Sequence, residues 1–159
     1  MRYISLNHNS QPVDFKTAVM NGLAPDKGLY FPEEVISLPK KITDNIKSID
    51  DHELCYEVIK GYIGEDFSKD ELIQIIKKTI DFKIPLSKIG DNPIYSLELF
   101  HGPTLAFKDI GAKFLALCMD KIKNDFNSKG ITVLVATSGD TGGAVAKGFE
   151  GLDGINVCI

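Results

Sequence analysis

The sequence predicts an α/β protein in two parts: a small amino-terminal α+β domain over residues 1–83, then the beginning of a parallel-sheet α/β domain over residues 84–159. Three observations predict it. Helical spacing of apolar residues dominates the first part. After Pro85 the pattern changes to alternation of apolar and polar residues, which marks the boundary. Finally, two β-branched runs, residues 131–136 and 155–159, flank a helical segment in the manner of a β-α-β unit, whose crossover is expected to be right-handed.

In chain order, residues 3–6 suit a short strand, and residues 14–21 have helical spacing at Phe15, Ala18 and Val19, closed by Gly22 as a left-handed cap. Pro25-Asp26-Lys27-Gly28 is turn chemistry that leads into Leu29-Tyr30-Phe31, stopped by Pro32. A helix is expected over residues 50–60 on Leu54, Tyr56, Val58 and Ile59. Ser68 with Glu71 three residues later forms a capping box, and Leu72, Ile75, Ile76 and Ile80 carry the next helix as far as Asp81-Phe82. Residues 84–89 and 94–100 read as strands around the turn Gly90-Asp91-Asn92-Pro93.

The loop His101-Gly102-Pro103-Thr104 then introduces a long helix with Lys108 at its start and an apolar stripe of Phe107, Ile110, Phe114, Leu117, Cys118 and Ile122, ended by Lys129-Gly130. Residues 131–136 read as a strand buried on both faces of a parallel sheet. A loop and a helix follow, closed by Gly151 to Gly154. The chain stops inside the apolar run 155–159 with no turn or polar tail, so it is expected to be part of a longer enzyme.

A net charge of −4 and a pI near 5.3 leave no basic field for a phosphate backbone, which excludes nucleic acid as an expected partner. Every basic residue but Arg2 is a lysine, so an anion would be held by lysines, hydroxyls and backbone N–H groups. Cys55, Cys118 and Cys158 are odd in number and far apart, which indicates neither a disulfide framework nor a metal site; they read as reduced, mostly buried thiols. The amino terminus lacks the apolar stretch of a signal peptide and no run has membrane-spanning length, so a cytoplasmic location away from membranes is expected.

Two motifs carry chemistry. Residues 98–112, Glu-Leu-Phe-His-Gly-Pro-Thr-Leu-Ala-Phe-Lys-Asp-Ile-Gly-Ala, place Lys108 beside apolar groups at a loop-to-helix junction. There a helix N-terminus and low solvent access would disfavour the ammonium form, leaving an amine able to form a Schiff base. By spacing alone, a snorkelling surface lysine is the commoner outcome. Residues 136–144, Ala-Thr-Ser-Gly-Asp-Thr-Gly-Gly-Ala, stand where a buried strand hands over to a helix, the place where open α/β sheets bind anionic ligands. A plain glycine-rich turn with Ser138 or Asp140 as N-cap is the ordinary alternative. The P-loop ending fails because Ala146 precedes Lys147, no G-x-G-x-x-G occurs, and Ala136 stands where a nucleophile elbow requires glycine.

Together these motifs resemble those of fold-type II (tryptophan synthase β-like) pyridoxal-phosphate enzymes, and His-Gly-Pro-Thr-Leu-Ala-Phe-Lys-Asp resembles the threonine synthase family in particular. The block from Asp14-Phe15 through Gly22-Leu23-Ala24-Pro25-Asp26-Lys27-Gly28-Leu29-Tyr30-Phe31-Pro32-Glu33 is similar to that family's amino-terminal domain, which related dehydratases and cysteine synthases lack. The resemblance implies conversion of O-phospho-L-homoserine and water to L-threonine and phosphate, with pyridoxal 5'-phosphate on Lys108. It also implies that Lys108 shuttles protons at the substrate's α and β carbons, that Thr137, Ser138 and Thr141 hold the substrate carboxylate, and that Asp140 lies near the cofactor's phenolic oxygen. Lys113 is a looser choice for the substrate phosphate.

Where the family has a Ser-Thr-Arg-Gly-like opening and Asp-Gly-Gly-Leu-Tyr, this chain has Ser5-Leu6-Asn7-His8 and Asp26-Lys27-Gly28-Leu29-Tyr30. The groups for the cofactor phosphate and pyridine nitrogen are expected beyond Ile159, so residues 1–159 alone are expected to be inactive. His101 is read as ordering its loop, and the Lys40-Lys41 and Lys77-Lys78 pairs as solvated. Rival readings are another fold-type II lyase, which residues 1–34 argue against, and a non-catalytic threonine-synthase-like binder of phosphorylated ligands, which Lys108 argues against. The expected assembly is a monomer or a homodimer.

Overall fold

The computed structural model describes residues 1–126 and 130–159, and these form two compact units, Met1–Lys77 and Lys78–Ile159. The first contains β1 (Tyr3–Ser5), α1 (Phe15–Asn21), β2 (Tyr30–Pro32), α2 (Lys40–Asp44) and α3 (Asp51–Ile63), and ends within α4 (Lys69–Thr79). β1 and β2 pair antiparallel, Ile4 opposite Phe31. Pro32 is tolerated in β2 because a strand of a two-stranded ribbon has an unpaired edge that needs no N–H donor.

The expected helices form, with shifts that have local causes. The second extends to Ile63, three residues past Lys60, because Gly64 is the first residue to take a positive φ (69°) and its N–H still bonds the Lys60 carbonyl. Its other end is held by the Asp50 carboxylate, which accepts from the His52 and Glu53 N–H groups. The capping box closes reciprocally: Glu71 N–H donates to Ser68 Oγ at 3.3 Å, and Ser68 N–H to Glu71 Oε2 at 3.0 Å. α4 ends at Thr79, before Asp81-Phe82. Sequence periodicity does not reveal α2; at five residues it shows a single buried apolar position, Ile42.

Ala18, Ala24, Ile42, Ile63, Phe67, Leu72, Ile75 and Ile76 are the buried apolar residues of this unit. Phe15 packs its ring between Tyr3 and Phe67, centroids 6.0 and 6.1 Å away. Tyr3 donates its hydroxyl to the Tyr62 carbonyl at 2.9 Å, and burial pushes the pKa of that hydroxyl up to about 12.

Asp14 caps α1 by accepting from Thr17 N–H at 2.8 Å. The Thr17 side-chain hydroxyl, and after it this bond from the Thr17 N–H, hold the Asp14 carboxyl below the usual carboxylate range. Asp14→Ala is expected to destabilise the chain by about 1 kcal/mol at neutral pH. Because the folded-state carboxyl titrates lower than in the unfolded chain, its contribution is complete above the unfolded value and is lost as pH falls through the folded one. Urea midpoints of the two proteins should therefore differ at pH 7 and approach each other in acid.

The second unit opens with an antiparallel hairpin, β3 (Leu86–Lys88) with β4 (Tyr95–Leu97), in which Leu86 faces Leu97 across the ladder. It continues through α5 (Lys108–Ile122), a 3-10 turn (Lys123–Phe126), β5 (Ile131–Leu134), α6 (Asp140–Phe149) and β6 (Ile155–Cys158). β5 and β6 pair in parallel, Ile131 opposite Ile155, as expected of a β-α-β unit. Lys129, read as part of the helix terminator, lies outside the described residues.

Three sequence expectations are corrected here. The run 131–136 is not buried on both faces: the strand is the four residues of β5, and Leu134 is 77% exposed. Among the described residues β5 has one neighbouring strand, and its inner face alone is half-buried. On the outer face of β6, Cys158 is exposed for the same reason, and Cys55 is only half-buried, so Cys118 alone is a buried thiol; burial pushes Cys118 up to about 12. The buried stripe of α5 keeps Cys118 and Ile122 but is otherwise displaced. Phe107 is 61% exposed, while Ala112, Ala116, Cys118, Met119 and Ile122 are buried. Small residues win because α6 approaches closely: a Cβ on Gly148 would stand 3.0 Å from the Ala112 carbonyl carbon.

Candidate active site

Both chemical motifs fall in the second unit, one at the start of α5 and the other where β5 hands over to α6. Ala136 to Gly139 lie outside the helix, and α6 begins at Asp140. Gly139 has φ 145° and ψ −73°, a conformation a side chain would oppose, and it serves as the N-cap without a side-chain bond. The cap is supplied instead by Thr137, whose hydroxyl oxygen accepts from Gly139 N–H at 3.1 Å and Gly142 N–H at 3.2 Å. Neither Ser138 nor Asp140 caps the helix. Both side chains are exposed, and Thr141 is half-buried at the first turn, where backbone N–H groups lack intrahelical acceptors. The result is a concentration of hydroxyls and donors at a helix N-terminus suited to a carboxylate.

Lys108 is the first residue of α5. Its Nζ stands 4.0 Å from Asp140 Oδ2 and 5.0 Å from the centroid of the Phe107 ring. The fold therefore brings Lys108 to the first turn of α6, which carries Asp140 and Thr141, positions 32 and 33 residues further along the chain. Lys108, Thr141, Leu99, Phe107 and Ile110 line a largely apolar cleft of about 520 Å³, within the size range of small-molecule sites. The low solvent access expected of Lys108 is corrected: its side chain is 35% exposed beside this open cleft.

Lys113 is not brought to that cleft. Five helical residues turn it about 140° from Lys108 around α5, and its ammonium donates to Asp81 Oδ2 at 2.6 Å. His101 bonds Glu98 Oε2 at 2.7 Å and lies against the Phe100 ring, 4.9 Å between centroids. The same bond holds the Glu98 carboxyl below the usual carboxylate range.

Sequence reasoning assigns no role to Asp109, yet it is 3% exposed and accepts from Thr104 N–H at 2.9 Å and from the Thr104 hydroxyl. An acidic residue in a first helical turn is a common end signal, and nothing in its spacing announces burial. Among the described residues no buried side-chain nitrogen or oxygen lacks a partner, and no helix is long and apolar enough to cross a membrane.

Lys108 is an amine within reach of small-molecule space, beside a carboxylate and a helix end suited to an anion. These features fit the aldehyde end of pyridoxal phosphate and an amino-acid carboxylate.

A family profile described as threonine synthase N terminus matches residues 2–80. Threonine synthase of Haemophilus influenzae is 40% identical over the whole chain, and that of Escherichia coli is 35% identical. In each case the match covers 36% of the relative, so the chain spans about a third of the length of the curated relatives it matches. The crystal structure of threonine synthase from Escherichia coli superposes with a TM-score of 0.89 at 34% identity, covering 99% of this chain and 36% of that one. PLP-bound threonine synthase from Brucella melitensis gives 0.90 at 31% identity, covering 99% and 34%. The chain therefore belongs to the threonine synthase family and has the fold of the amino-terminal third of its members.

Proposed function

We propose that the protein carrying this chain is a pyridoxal-phosphate-dependent carbon–oxygen lyase that converts O-phospho-L-homoserine and water to L-threonine and phosphate. The observation that carries the proposal is the approach of the Lys108 amine to Asp140 at the head of α6, next to the Thr137–Thr141 hydroxyls. In this reading Lys108 holds the cofactor and Asp140 lies beside its phenolic oxygen. Pyridoxal phosphate supplies an electron sink for negative charge developing at the substrate's α carbon.

Thr137, Ser138, Thr141 and the N-terminus of α6 hold the substrate carboxylate, which orients the α C–H bond toward Lys108. Once displaced by the substrate amine, Lys108 moves protons at the α and β carbons, so one base serves both positions. The apolar wall of Leu99, Phe107 and Ile110 limits water near the reacting carbons until one molecule adds at the β carbon and phosphate has left the γ carbon. Lys113 meets the phosphate only by leaving Asp81. Substrate and cofactor are small molecules; the protein acts as a monomer or homodimer in the cytoplasm in this reading.

The full-length protein with added cofactor is expected to release phosphate and threonine in equal amounts from O-phospho-L-homoserine. Residues 1–159 alone are expected to yield no detectable threonine, since no residue here is assigned to the cofactor's phosphate or ring nitrogen. A full-length protein that binds the substrate without releasing phosphate would replace this proposal with the binding-protein reading.

A further inference from the structure

We infer that Asp109 and Thr104 form a positioning pair that fixes the loop before α5 and, through it, the stance of the Lys108 amine. The inference rests on the reading of Lys108 as the cofactor-carrying lysine.

α5 begins without a side-chain cap: Phe107 occupies the N-cap position and makes no capping bond. A helix end left in that state frays, and Lys108 is its first residue. Asp109, the next residue, does not cap its own helix. Its carboxylate is buried, a costly placement unless it is well hydrogen-bonded. Thr104 meets that requirement with two donors, its N–H at 2.9 Å and its hydroxyl. The first turn of α5 is thus tied to the loop that precedes it.

The loop is tightly fitted around the tie. A Cβ on Gly102 would stand 2.5 Å from Asp109 Oδ2 and 2.9 Å from Phe82 Cε1, so the backbone passes directly over the carboxylate. Leu105 takes φ 59°, an uncommon conformation for a bulky residue, while its side chain points to solvent. Its N–H donates to the Gly102 carbonyl at 3.1 Å, and Asp109 N–H donates to the Ala106 carbonyl at 3.0 Å. Strained backbone of this kind persists where its surroundings over-determine it. Asp109 itself lies about 100° around the helix from Lys108 and lines a separate small cavity with Lys113 and Lys147. It therefore acts through the loop and not on the reacting atoms.

The test uses the full-length protein and Thr104→Val, which keeps the shape and removes the hydroxyl donor. Cofactor is added, samples are quenched with borohydride over time, and the peptide bearing Lys108 is weighed by mass spectrometry. The valine protein is expected to capture cofactor at Lys108 about tenfold more slowly and to lose about tenfold in kcat, with KM changed by less than about twofold. Thr104→Ser is expected to restore both rates. Thr104→Ala serves by the same criterion if the valine protein does not fold.

Capture by Thr104→Val or Thr104→Ala at the rate of the unaltered protein would overturn the positioning role and leave the cofactor assignment intact. Failure of the unaltered protein to fix cofactor at Lys108 would overturn that assignment, and the inference with it.

Discussion

Lys108→Ala in the full-length protein should lower kcat for threonine formation on the order of 10³-fold or more, with added pyridoxal phosphate failing to restore it. The loss has two sources. The amine that holds the cofactor is gone, and so is the base that moves protons at two substrate carbons. Stability should scarcely change. Lys108 is partly exposed, and its contacts are a 4.0 Å approach to exposed Asp140 and a 5.0 Å approach to the Phe107 ring, each worth less than about 1 kcal/mol at such positions. A folded but inactive variant separates chemistry from collapse. Lys108→Arg should be equally inactive, because a guanidinium matches the charge without supplying a nucleophilic amine. An alanine protein that retains activity within tenfold of the original would exclude Lys108 from the reaction.

What the sequence made legible are features written in adjacent residues. The Ser68–Glu71 box, the Asp14 and Asp50 helix starts and the β5-α6-β6 order are local signals, and each forms where the spacing places it. What it hid depends on which elements meet. Helix periodicity marks bulky residues, so Phe107 looked like core while buried Ala116, and Ala112, which admits α6 to short range, did not. Leu134 looked buried because hydrophobicity states what a strand can cover, whereas among the described residues β5 pairs with one strand. At the site, Lys108 and the Thr137–Thr141 loop stood out as motifs. Their approach through Asp140 and the engagement of Lys113 by Asp81 follow from the packing of α5, which spacing does not encode. Asp109 was hidden for the same reason: its donor, Thr104, comes from a turn whose shape depends on Gly102 and Leu105.

The amino-terminal unit holds the other large effect. Ser5 is 1% exposed and donates its hydroxyl to Asp26 Oδ1 at 2.6 Å, while the Asp26 carboxylate also accepts from Asn9 and Gly28 N–H groups. Gly28 closes this cluster at such range that a Cβ would stand 2.0 Å from Ser5 Oγ and 2.9 Å from the Asn7 nitrogen. Gly28→Ala must therefore expel the serine hydroxyl or open the turn. It is expected to cost about 3 kcal/mol and to lower the melting temperature by about 8 °C. Ser5→Ala should cost less, since it removes a bond without forcing a displacement. The pair should be strongly coupled: removing the hydroxyl relieves the closest clash, so the double variant is expected to fall short of the summed losses by about 1 kcal/mol.

The dependence on pH gives an independent reading of the same cluster. The Ser5 hydroxyl, first among its partners, holds the Asp26 carboxyl below the usual range. The stability this confers is complete above the unfolded-state value near 4, and it is lost as pH falls through the lower folded-state value. The cost of Ser5→Ala should therefore be greatest at neutral pH and shrink in acid. Urea midpoints measured at pH 7 and pH 3 decide the matter. An identical cost at both would mean that Ser5 stabilises the turn by packing alone, without its bond to a charged Asp26.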